Sequence, residues 1–117
     1  MRYEAKKISK LVDELVTYFL HHYNSPAEIS IVPESHRYTV KLAFSNVNMS
    51  DAEFNALNKR LVVKRQPELE DYYWQLTGEV EDANEMLLVA MMCDSIDLSR
   101  EGNTIRLTLV REVSGRA

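Results

Sequence analysis

Apolar residues recur at steps of three and four near the start of the chain: Ile8, Leu11, Val12, Leu15, Val16, Phe19, Leu20 and Tyr23. At 3.6 residues per turn this spacing gathers them on one wide face of an amphipathic helix. Asn24, Ser25 and Pro26 end it, because the residue before a proline is pushed out of helical backbone angles. The pattern then changes to period two. Residues 27–32, in which Ile29 and Val32 flank Ile31, are followed by a turn over 33–36. Beyond the turn, Tyr38, Val40, Leu42 and Phe44 alternate with Thr39, Lys41 and Ala43. This predicts a hairpin with one buried face.

Ser50 and Glu53 have the spacing of a capping box, so a second helix begins near Ser50, with Phe54, Leu57 and Leu61 as its buried stripe. Pro67 suits the first turn of a short, exposed third helix, continued by Leu69, Tyr72, Tyr73 and Leu76 and capped by Gly78. Residues 81–93 are apolar around much of a helical circumference, which predicts a longer helix covering a sheet or packed on two sides. Residues 95–99 and 104–113 form a second hairpin around Arg100, Glu101, Gly102 and Asn103, with Ile105, Leu107 and Leu109 in alternation. The order predicts an α+β two-layer sandwich, a mixed or antiparallel sheet covered on one face by helices. One domain spans residues 1–113, with a short tail over 114–117.

Composition narrows the function classes. A chain of 117 residues, 45% hydrophobic and 27% charged, buries roughly two-thirds of its unfolded surface and needs no disulfide or structural metal to fold. Cys93 is the only cysteine, so no intramolecular disulfide forms and a reducing, cytoplasmic setting is expected. No apolar stretch approaches the roughly 20 residues that span a bilayer, and the first ten residues lack the apolar core of a signal peptide. The net charge of −4 sets the domain against nucleic acid and anionic membrane. Three glycines, Gly78, Gly102 and Gly115, are too few and too scattered for a Walker loop or a Rossmann fingerprint.

Two features carry a family resemblance: a long first helix with Glu14, and the stretch from Met86 to Val110, a helix feeding a terminal hairpin. Together they resemble the histidine-kinase-like ATPase superfamily, in particular its small anti-sigma-factor serine-kinase branch, and imply a Bergerat-like ATPase fold. In that family the first helix carries a general-base Glu, a magnesium-holding Asn four residues on and often a His four beyond that. Glu14, Tyr18 and His22 stand at these places. The adenine-reading Asp and its glycines correspond to the stretch holding Asn46 and Asn48, and a hydroxyl near the adenine corresponds to Thr104. A phenol is a poor ligand for magnesium, which takes oxygen donors in a near-octahedral shell. Acidic Glu81, Asp82 and Glu85 stand where the resemblance would bring a triphosphate, and like charges oppose it.

The resemblance with these departures implies a regulatory domain that is non-catalytic or only weakly nucleotide-binding, acting through a protein partner or a second copy of itself as a homodimer. No cofactor or metal is then expected. The alternative is an ATP- and magnesium-dependent serine/threonine protein kinase of the anti-sigma type with Glu14 as general base. A third reading discards the resemblance for a small-ligand or nucleic-acid module on an unrelated α+β fold. Single residues have plainer readings. Glu14, beside Asp13 and four residues from Lys10, also reads as a solvated face residue. Adjacent His21 and His22 point about 100° apart on a helix and cannot share one ion unaided; with His36 they read as structural or exposed. Cys93 reads as an inert core thiol. Lys59, Arg60, Lys64 and Arg65, followed by Tyr72, Tyr73 and Trp74, read as a charged helix end or a protein-binding patch, with nucleic acid opposed by Glu68, Glu70 and Asp71.

Overall fold

A computed structural model describes residues 2–62, Met86 and residues 89–113. The expected third helix, and most of the expected helix over 81–93, lie outside the described residues, although Val89, Ala90 and Met91 are helical. The described elements are α1 (Arg2–Tyr23), β1 (Ala27–Pro33), β2 (Arg37–Phe44), α2 (Asp51–Leu61), β3 (Ser95–Glu101) and β4 (Thr104–Glu112). The four strands form one sheet in the order β1-β2-β4-β3, with every neighbouring pair antiparallel. The α+β class expected from the sequence is therefore present, with an antiparallel sheet.

Each helix ends where its sequence supplies the chemistry. Asn24 closes α1 at a positive φ of 50°, and its amide donates to the Leu20 carbonyl at 2.9 Å. Asparagine tolerates this left-handed conformation and so satisfies one orphan carbonyl. At α2 the capping box forms: the Glu53 amide donates to Ser50 Oγ at 3.1 Å, and the Ser50 amide to Glu53 Oε1 at 2.8 Å. Ser50→Ala is expected to lower stability by about 1 kcal/mol, seen as a lower urea midpoint with an unchanged slope. In the β3–β4 turn, Gly102 takes φ +60° and Asn103 does not have a positive φ. Positive φ at the first of two turn residues is what a type II′ hairpin turn requires, and glycine adopts it without steric cost.

Register decides which side chains meet. Val40 lies opposite Leu109, Leu42 opposite Leu107 and Phe44 opposite Ile105, so the alternation in both strands puts six apolar side chains on one face. All six are buried, in one core with Ile8, Leu11, Leu15 and Phe19 of α1 and Leu57 and Leu61 of α2. Phe19 stacks on Phe44 with ring centroids 4.1 Å apart. The other face carries Thr39, Lys41, Ala43, Arg106, Thr108 and Val110, all exposed or half-buried.

Three expectations need correction. The first hairpin does not bury a face along both strands, because every residue of β1 is exposed. Ile29 and Ile31 pair with Leu42 and Val40 and so lie on the helix side of the sheet, yet stay 43% and 45% exposed, since β1 is an edge strand. Leu20, counted on the apolar face of α1, is 50% exposed. Cys93 is buried as expected, but it follows the helical residues rather than lying within them.

Candidate functional site

Lys7, Glu14 and Tyr18 fall in one line along α1, because steps of seven and four residues return a helix to nearly the same direction. The line borders the buried stripe of Leu11 and Leu15, and all three residues are buried. Glu14 is only 3% exposed, which corrects the reading of this carboxylate as a solvated face residue. Its neighbour Asp13 is the exposed one, and Asp13 Oδ1 accepts from the Thr17 hydroxyl.

Tyr18 is enclosed on several sides. Its hydroxyl accepts a hydrogen bond from Arg60 Nη2 at 3.2 Å. The Arg60 guanidinium also lies over its ring, 5.9 Å from the centroid. Phe19 meets the ring edge-on at 5.1 Å, and His22 lies 4.5 Å away. A residue of α2 thus fastens the phenol, and Arg60 leaves the basic cluster in which the sequence places it. Lys59 remains exposed, while Lys64, Arg65, Tyr72, Tyr73 and Trp74 lie outside the described residues. Arg60 Nε is buried with no hydrogen-bond partner among the described residues. Beside it, burial pushes the Tyr23 phenol above its ordinary value, with Tyr18 and Glu53 adding to the rise and Arg60 opposing it. Tyr23 is therefore neutral at physiological pH and is not a base.

Of the six residues that the resemblance singles out, Glu14, Tyr18 and His22 lie on α1, while Asn46, Asn48 and Thr104 gather at one end of the sheet. The Val47 amide donates to the Asn103 carbonyl at 2.8 Å, which holds the loop after β2 against the turn that leads to Thr104. Along this loop Val47 and Met49 turn inward and are buried, while Asn46 and Asn48 are exposed. Asn46 has a positive φ of 58°, a conformation asparagine adopts more readily than most residues. Thr104 is half-buried at the start of β4. The C-terminal half of α1 reaches this end of the sheet through the Phe19–Phe44 stack. The six residues thus form two groups, with Phe19, Phe44, Val47 and Met49 packed in the core behind them.

Two shallow clefts are described, and none of the six residues lines either. One, of about 440 Å³, runs along Ala5, Lys6, Ser9, Lys10 and Asp13 of α1. The other, of about 350 Å³, lies on the open sheet face among Glu28, Lys41 and Arg106. Among the described residues no group of three His, Cys, Asp or Glu side chains could hold a metal ion, and no helix is long and apolar enough to cross a membrane.

Sequence reading missed two features, one buried and one half-buried. Arg111, 2% exposed, stands at the inward position after Ile105, Leu107 and Leu109, so the alternation itself marked it. Arg100 stands in register with Ile105. It donates to the Met49 carbonyl at 2.8 Å, bridges to Asp51, and covers the Phe54 ring at 4.7 Å, tying β3 to the start of α2.

In comparisons with known proteins, the chain matches no family model, and no curated protein matches it in sequence.

Proposed function

We propose that the chain is a regulatory domain that acts by binding protein rather than by chemistry, on a degenerate histidine-kinase-like, Bergerat-type frame. The observation that carries this reading is the state of Tyr18. The resemblance assigns a magnesium ligand to this position, and a phenol fastened by a guanidinium stands there instead. A magnesium ion near that oxygen would sit within a few ångströms of a fixed positive charge, and a doubly charged ion 4 Å from a guanidinium is repelled by about 8 kcal/mol at an effective dielectric constant of 20. Exposed Asn46 and Asn48 offer an adenine amides in place of a carboxylate. The uncovered apolar side chains of β1 supply the surface such a domain needs, since clustered exposed apolar groups mark interaction sites.

Magnesium-ATP titration with the melting temperature as readout tests this. A ligand that binds only the folded state adds about 2.7 kcal/mol of stability at a hundred times its Kd. The expected result is no shift at millimolar magnesium-ATP. A saturable rise that disappears with Glu14→Gln or without magnesium would favour the second reading, an ATP-dependent serine/threonine protein kinase with Glu14 as general base. One observation supports that alternative: Glu14 is withdrawn from water, as buried catalytic carboxylates are.

A further inference from the structure

The face of the sheet turned away from α1 and α2 carries a cleft of mixed charge. Register fixes its lining. Ser30, Lys41 and Thr108 stand side by side on β1, β2 and β4, and in the next row Glu28, Ala43 and Arg106 do the same. Ala43 is thus flanked across the strands by Glu28 and Arg106, with Lys41 two residues away on its own strand. The three charged residues are exposed, Ala43 is half-buried, and the cleft of about 350 Å³ lies among them. A methyl between three long side chains leaves that space open. The charges are only partly matched within the chain. Among the described residues neither Lys41 nor Glu28 has an ion-pair partner. Arg106 has one, Glu101, which meets its Nε at 3.5 Å with both side chains more than half exposed. Arg37, on the same face, is held by Glu34 and Glu112. Diagonal neighbours on adjacent antiparallel strands lie about 7–8 Å apart, so Lys41 is within reach of what either Glu28 or Arg106 holds.

We propose that this cleft binds a dicarboxylic α-amino acid. The charges of the lining select the class. A ligand with two carboxylates and one ammonium is the charge complement of Lys41, Arg106 and Glu28. Arg106 grips one carboxylate with its planar fork, Lys41 meets the other as a point charge, and Glu28 accepts from the ammonium. Ser30 and Thr108, on either side of Lys41, add hydroxyl donors to the carboxylates. A dicarboxylate without the ammonium would set Glu28 against like charge. A nucleotide or nucleic acid fits less well, because no aromatic residue is among those described in the cleft to stack on a base. The site goes beyond the protein-binding reading and does not rest on it.

The test is a titration of the isotope-labelled full chain with L-glutamate and, separately, L-aspartate at constant ionic strength, followed through backbone amide chemical shifts. A shallow cleft buries little of its ligand, so a Kd on the order of 1 mM is expected for at least one of the two, with the shifts centred on Ala43 and Thr108. Glutarate, which lacks the ammonium, is expected to bind at least about tenfold more weakly. Glu28→Gln should remove that preference by weakening the amino acid alone, and Lys41→Gln or Ala43→Leu should abolish saturation. All three positions are on the open face, so the melting temperatures of these variants should stay near the parent's, which separates lost binding from lost structure. No saturable shift with either amino acid at about 20 mM overturns the proposal. So does glutarate binding equal to that of the amino acids, or saturation that survives Lys41→Gln or Ala43→Leu. The cleft contains none of the residues tested by magnesium-ATP, so the two results stand or fall separately.

Discussion

Arg111→Ala is expected to destabilise the domain by about 3–5 kcal/mol, the usual loss when one partner of a buried ion pair is removed. The guanidinium is 2% exposed and meets Glu4, 13% exposed, at Nε···Oε1 2.8 Å and Nη2···Oε2 3.2 Å. Its Nη1 donates to the Met92 carbonyl at 2.8 Å. One side chain thus joins the first turn of α1, the last residues of β4 and the segment entering β3. Truncation leaves a carboxylate and a carbonyl without these donors and opens a cavity between three elements. Since natural domains hold only about 5–15 kcal/mol, this loss should lower the melting temperature by on the order of 15 °C.

Two further variants separate charge from geometry. Arg111→Lys keeps the charge but not the planar fork that grips both carboxylate oxygens, so it should fall between the parent and Arg111→Ala. Glu4→Leu with Arg111→Met removes both charges for groups of similar volume, a replacement that buried pairs often tolerate without loss. Recovery of most of the stability in that pair would show that the cost of Arg111→Ala lies in the stranded carboxylate. A loss below 1 kcal/mol for Arg111→Ala would mean that the three elements are held together by other contacts.

What the sequence disclosed follows from the range of each interaction. The capping box at Ser50 and the turn at Gly102 are local, and both are present where the residue types placed them. Alternation in β2 and β4 identified Val40, Leu42, Phe44, Ile105, Leu107 and Leu109 as one buried face. The same parity reached Arg111, whose inward position a charged residue conceals. Period two says which side chains share a face, not which strand is outermost, so Ile29 and Ile31 read as buried until the order β1-β2-β4-β3 put them at an edge. The burial of Glu14 was hidden for a related reason. Asp13 borders it in sequence, but a helix turns about 100° per residue, and adjacent positions face different surroundings. The Tyr18–Arg60 contact spans 42 residues and belongs to the packing of α1 on α2, which one sequence does not display. The family resemblance drew attention to position 18; the structure supplied what holds it.

Phe19→Ala is the second large effect expected, about 3–5 kcal/mol. Phe19 is fully buried and stacks on Phe44 at 4.1 Å with 15° between the ring planes. It also meets Tyr18 edge-on at 5.1 Å and Tyr23 at 6.0 Å, so its ring supports the contact between α1 and the end of β2. Close-packed surroundings relax only partly into the vacated space, and the cavity adds to the lost transfer energy. Phe19→Leu, which keeps more of the volume, should lose less. A double-mutant cycle with Phe44→Leu should return a coupling of about 0.5–1.5 kcal/mol beyond area burial, as for stacked aromatic pairs. Additive losses would mean that the rings contribute volume alone. Because Phe19 precedes the Asn24 cap and its carbonyl accepts the Ser25 amide at 3.3 Å, a shift here should also move the end of α1, where Tyr18 and His22 meet. In that case Phe19→Ala would also loosen the Tyr18–Arg60 contact.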